Sequence, residues 1–174
     1  MLRFWFEEIE RALWFKKDAG FDQLLHERFG ALHAQAGRGE LYAWRDSAHG
    51  RLAEIIVLDQ FSRNLFRDSA AAFAFDGMAL TLAQEAVRCG ADMELSAQER
   101  VFLYMPYMHS ESAAIHQIAV TLFTNNGIQA NLDFELKHKA IIDRFGRYPH
   151  RNAVLGRLST EQELAFLGQP GSSF

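Results

Sequence analysis

The sequence predicts an all-α domain. Apolar residues recur at helical spacing in almost every segment, cap and stop signals bracket those segments, and no alternating period-2 run is long enough for a strand. Leu2, Trp5, Phe6 and Ile9 open the series, and Phe21, Leu24, Leu25, Phe29 and Leu32 mark a second helix that stops at Gly37 or Gly39. A third runs from about Ser47 or Arg51 through Leu65. Its centre, Ile55-Ile56-Val57-Leu58, is apolar on every face, which predicts a central helix surrounded by the others.

Asp68 or Ser69 is placed to cap a fourth helix through Phe73, Met78, Leu80 and Leu82 to Gly90. Ser96 and Glu99 form a capping box for a fifth through Val101 to Tyr104, which Pro106 is expected to break or kink. A sixth covers about Glu111 to Phe123 and ends at Asn125-Asn126-Gly127, and a seventh, about Ile128 to Phe145, ends at Gly146. Arg147 to Gly156 reads as ordered loop with one helical turn. Ser159 with Gln162, or Thr160 with Glu163, then caps a last short helix, and 168–174 is expected to be a flexible tail. The sum is a single domain over 1–174, built from about seven to nine helices in antiparallel hairpins.

Composition removes several function classes. A chain of 174 residues buries roughly two-thirds of its unfolded surface in one core, and 49% hydrophobic residues with fifteen Phe supply that core. The formal net charge is -4 and the basic residues form no Lys-rich stripe, so no nucleic-acid partner is expected. One cysteine, Cys89, allows neither an internal disulfide nor a Cys-based zinc site, which fits the cytoplasm. The first residues lack the apolar run of a secretory leader. The stretch 112–132 has no Asp, Glu, Lys or Arg, yet His116, Gln117, Asn125, Asn126 and Gln129 make it too polar to cross a membrane.

Three polar segments interrupt this apolar pattern: Asp59-Gln60-Phe61-Ser62-Arg63-Asn64, His109-Ser110-Glu111-Ser112, and Gly146-Arg147-Tyr148-Pro149-His150-Arg151-Asn152. Each abuts a hydrophobic run where a bare charge would be costly unless paired or set in a wet cleft. Asp59 and Arg63, four apart on one helical face, are expected partners, and Gln60 and Asn64 repeat that spacing. His109, His116 and His138 lie on apolar stripes, where a histidine is either a satisfied core residue or part of a site. His109, Glu111, His116 and His138 are chemically suited to a metal, but no His-Glu-x-x-His or Glu-x-x-His pair occurs and no metal site is assigned. Ser110 lacks the Gly-x-Ser-x-Gly elbow of a serine nucleophile and reads as a helix cap. Arg144, Arg147, Arg151 and Arg157 stand in a segment without lysine, a bias that suits planar recognition of carboxylate or phosphate, or buried pairing.

The motifs Leu58-Asp59-Gln60-Phe61-Ser62-Arg63-Asn64, Tyr104-Met105-Pro106, His109-Ser110-Glu111, Phe145 through Asn152 and Leu155-Gly156-Arg157 resemble the bacterial family of domain of unknown function 924, over essentially the whole chain. The resemblance implies a tetratricopeptide-like stack of helical hairpins, and it brings no activity, cofactor or catalytic residue. From the residues themselves, the expected function is a binding domain in which Asp59, Arg63, Asn64, His109, Glu111, Arg147, His150, Arg151 and Asn152 converge on a cleft for a small anionic or polar ligand. Two alternatives stay open: a small hydrolase-like enzyme, metal-assisted or not, using His109, Glu111 and His150, and a helical scaffold for a protein partner with no small-molecule site. No cofactor is named by any motif.

Overall fold

The computed structural model describes residues 1–172, and among them the regular elements are all helical. Asp18 accepts from the Phe21 amide and starts α1 (Ala19–Gly37). Ser47 caps α2 (Ala48–Ile56), which runs without a break through a π-turn, Val57–Phe61, into α3 (Ser62–Leu65). Then come α4 (Asp76–Arg88), α5 (Ala97–Met108), α6 (Ala113–Asn126), α7 (Gln129–Phe145) and α8 (Glu161–Leu167). Both capping boxes form, Ser96 with Glu99 and Thr160 with Glu163.

Ile55, Ile56, Val57 and Leu58 are 0% exposed, so the helix that carries them is walled on all sides. At about 1.5–3 kcal/mol for each large side chain taken out of water, these four alone anchor its position. The α5 helix is equally enclosed, with every residue from Val101 to Met108 buried. Aromatic rings pack where these helices meet the N-terminal segment: Trp5 lies against Phe61 and Phe102, and Phe29 against Phe61. α2 packs on α4 and α5, α5 on α6, and α6 on α7. The turns between α5, α6 and α7 are so short that consecutive partners run antiparallel.

Four local expectations need correction. Pro106 does not end α5, which continues to Met108 with the proline buried inside it. The fourth predicted helix is two elements: Ser69 caps a 3-10 turn, Ala70–Phe73, and α4 begins only at Asp76. The first predicted helix is a π-turn, Phe4–Glu8, followed by a 3-10 turn, Arg11–Trp14. Ser110 caps nothing; Ser112 holds the N-cap position of α6 and the Ser110 carbonyl accepts from His116. Of the expected tail, Ser172 is buried with its hydroxyl on the Leu167 carbonyl, and 173–174 lie outside the described residues.

Candidate functional site

Five segments bring polar side chains to one place. The π-turn and α3 supply Asp59 and Arg63, the approach to α4 supplies Phe73 and Asp76, and the C-cap of α5 supplies His109. His138 comes from α7, and Tyr148, His150 and Arg151 from the loop that follows Gly146. That loop can turn back because Gly146 takes φ 68°, a left-handed conformation glycine adopts without penalty.

The charges alternate along a chain of contacts. Asp59 Oδ1 lies 2.7 Å from His109 Nδ1 and 3.2 Å from Arg63 Nη1. Arg63 donates through Nη1 and Nη2 to both carboxylate oxygens of Asp76, at 2.9 and 3.1 Å. Asp76 Oδ2 in turn accepts from Arg151 Nη1 at 3.3 Å. Gln60 Nε2 fixes the other oxygen of Asp59 at 2.6 Å and also reaches the Met105 sulfur. Arg63 Nη1 further donates to the Asp59 backbone carbonyl at 2.9 Å, a side chain entering the helix ladder at the π-turn.

Aromatic and imidazole rings close the circle. The Arg151 guanidinium lies 4.4 Å from the Tyr148 ring centroid and 4.6 Å from that of Phe73. His138 stands 5.8 Å from Tyr148 and 6.5 Å from His109, and His150 stands 5.5 Å from Tyr148. Arg151 is 6% exposed, and its Nε is buried without a hydrogen-bond partner among the described residues, as is His150 Nδ1. The side chains of His109, Asp76 and Arg63 keep 14%, 19% and 21% of their surface, so this side of the cluster is partly exposed to solvent.

Burial and the two arginines set the ionisation states. Burial would raise the Asp59 carboxyl, but Arg63 and His109 overcome it and hold the group well below the usual carboxylate range. His109 is pushed down by burial and by Arg63, against the opposing pull of Asp59. Burial lowers His138 to about 3. His150 falls to about 4 through burial and then the Arg151 charge. Burial and Arg63 both work against the charge on Arg151. At neutral pH Asp59 is therefore ionised and the His109, His138 and His150 imidazoles are neutral.

Of the nine residues expected at a shared cleft, Asp59, Arg63, His109, His150 and Arg151 meet here. The other four are engaged elsewhere. Arg147 forks onto Glu163 at 2.7 and 2.8 Å and donates to the Leu158 carbonyl. Glu111 is clamped by Arg157 at 2.6 and 2.9 Å and accepts from the Tyr148 amide, so it positions the loop. Asn64 donates to Asp22, which also holds Arg67, and Gln60 and Asn64 do not pair with each other. Asn152 is 1% exposed and links Arg157 to Ser159 inside the loop. His116 is fully buried with both nitrogens engaged, by Glu135 and by the Ser110 carbonyl. No three His, Cys, Asp or Glu side chains gather as a metal's ligands would among the described residues.

Sequence reasoning missed Asp76 and Phe73. An aspartate in the first turn of a helix is an ordinary partner of the helix dipole, so nothing in the sequence marks Asp76 as the link between two arginines.

A family model described as "Bacterial protein of unknown function (DUF924)" matches residues 1–171. The solved structure of a protein of unknown function from Agrobacterium tumefaciens is similar to this chain with a TM-score of 0.89 and 40% sequence identity, covering 94% of this chain and 92% of that one. No curated protein matches the chain.

Proposed function

For this chain, which belongs to the bacterial family of unknown function DUF924, we propose a small-molecule binding role in which the cleft takes an anionic ligand on the Nε/Nη2 edge of Arg151. One observation carries this reading. Arg151 is almost fully buried, and among the described residues its one side-chain hydrogen bond runs from Nη1 to Asp76 while its Nε has no partner. A buried donor left unmade costs about 1–3 kcal/mol. The Nε/Nη2 edge is the fork with which a guanidinium grips a carboxylate or phosphate through two parallel bonds. The rings of Phe73 and Tyr148 against the guanidinium fix its plane, so little freedom is lost when a ligand arrives.

The expectation that several arginines would hold the anion narrows to this one. Arg63 is already shared by Asp59 and Asp76, and Arg147 belongs to Glu163. Arg63 instead works against the charge on Arg151. The short connections among α5, α6 and α7 also support the proposed tetratricopeptide-like stacking, and no helix among the described residues is long and apolar enough to cross a membrane. A cytoplasmic location is proposed on the single thiol of Cys89, which is exposed.

Thermal melts test the role directly. Millimolar sulfate, phosphate or glutarate should raise the midpoint, by the equivalent of about 2.7 kcal/mol at a hundred times the dissociation constant. Arg151→Lys, which keeps the charge but not the fork, should remove the shift, and Arg147→Ala should keep it. If no anion moves the wild-type midpoint, the reading fails and a scaffold whose polar motifs lock helices together takes its place.

A further inference from the structure

We infer that this cleft is also catalytic: the Asp59–His109 pair acts as a general base on a small carboxylate ester whose free carboxylate sits on Arg151. The inference rests on the anion reading above and adds a reaction to it. The geometry starts at Asp59, a carboxylate 0% exposed and fixed by Gln60 and Arg63. Its Oδ1 accepts from His109 Nδ1–H at 2.7 Å, which selects the tautomer with a lone pair on Nε2. That nitrogen has no hydrogen-bond partner among the described residues, and the side chain is partly exposed.

Two other buried histidines provide the contrast. His33 gives its Nε2 proton to Ser62 beneath Phe66 and Phe75, and His116 has both nitrogens engaged in the interior. Among the described residues, only His109 combines a buried carboxylate behind one nitrogen with a partly exposed side chain whose other nitrogen makes no hydrogen bond. Burial and Arg63 keep it unprotonated at neutral pH, the state a base requires. Asp59 also lies inside the π-turn of an otherwise α-helical segment, an irregularity that recurs at functional sites.

The substrate class joins the two features: an anion for Arg151 and a group that water can attack beside His109. No hydrogen bond joins the two side chains directly, and each serves a different part of one ligand. In the step, a water O–H bond breaks and its proton moves to His109 Nε2 while the oxygen adds to the ester carbonyl carbon. The C–O bond to the alcohol then breaks, and the alkoxide takes the proton back from Nε2. One water is consumed, an acid and an alcohol leave, and His109 returns to its neutral form. Asp59 stays ionised throughout and stabilises the transient imidazolium.

The test compares hydrolysis of mono-4-nitrophenyl glutarate, which carries a free carboxylate, with that of 4-nitrophenyl acetate, which carries none. The glutarate ester should react faster, His109→Gln should lower its kcat about 10²–10⁴-fold, and Arg151→Lys should raise its KM. The wild-type rate should decline as acid protonates His109. Should His109→Gln fail to fold, carbethoxylation of His109 in the wild type, slowed by glutarate, provides the readout. Equal rates for the two esters, an unchanged rate in His109→Gln, or labelling indifferent to glutarate overturns the activity. A sulfate-induced rise in melting midpoint that persists alongside such a result leaves anion binding standing, whereas its absence in the wild type overturns the binding role itself.

Discussion

Asp59→Ala is the sharpest probe of how the polar cluster is held. Asp59 is 0% exposed, accepts from His109 at 2.7 Å and Gln60 at 2.6 Å, and forms an ion pair with Arg63 at 3.2 Å. Breaking a buried ion pair costs about 3–5 kcal/mol when the surviving charge is left bare. Arg63 is not left bare, because Asp76 still accepts from it at 2.9 and 3.1 Å and the carbonyl of residue 59 remains. What the substitution strands is the Gln60 amide and His109 Nδ1, at about 1–3 kcal/mol each, partly offset because one carboxylate no longer has to be desolvated. The expected loss is about 2–4 kcal/mol, or roughly 5–15 °C in melting midpoint. Removing Asp76 as well takes both carboxylates from Arg63, so the double variant should lose about 1–2 kcal/mol more than the sum of the singles. Urea denaturation at pH 7 measures all three. A single-variant loss under about 1 kcal/mol would show that Gln60 and His109 find water or other partners, and additivity within about 0.5 kcal/mol that Arg63 is solvated and the alternating charges do not act as a unit.

Acid should weaken the fold before most carboxylates titrate. His138 and His150 are held at about 3 and about 4 in the folded state while an unfolded imidazole titrates near 6.5, so below that point the unfolded chain gains protons that the native one refuses. Stability measured in urea should therefore fall from about pH 6.5 toward about pH 4, and His138→Gln should flatten the decline; an unchanged slope in that variant would place the titration elsewhere. Sulfate affinity should move the other way, because an anion on Arg151 favours protonated imidazoles and the complex then holds more protons than the free protein. Calorimetric titration at pH 7 and pH 5 should give tighter binding at pH 5, and equal affinities would separate the histidines from the ligand. Finally, a Cβ at Gly50 would lie 1.9 Å from the Trp44 carbonyl oxygen, whereas one at Gly30 meets nothing within 4 Å. Gly50→Ala should lose at least about 2 kcal/mol because backbone must move, and Gly30→Ala should gain about 0.5–1 kcal/mol; the reverse order in denaturant melts would refute the close approach of the 42–46 turn.

The helical framework was legible in the chain because its signals are local. Cap residues such as Ser47, Ser96 and Thr160 act on amides two or three positions away, and the all-apolar run Ile55–Leu58 can be stable only when surrounded. Pro106 shows where a local rule yields, since the packing of the whole of Val101–Met108 outweighs one missing backbone bond. Sequence also identified Asp59, Arg63, His109 and Arg151 as polar residues in apolar surroundings, which is a statement about cost and needs no coordinates. Which carboxylate each arginine meets is a long-range matter: Arg63 finds Asp76 thirteen positions away and Arg151 finds it seventy-five away. Only the folded arrangement decides that Arg147 and Glu111 are closed by Glu163 and Arg157 while the buried Nε of Arg151 has no partner among the described residues, because hydrogen-bond partners are assigned by distance in space and not by order in the chain.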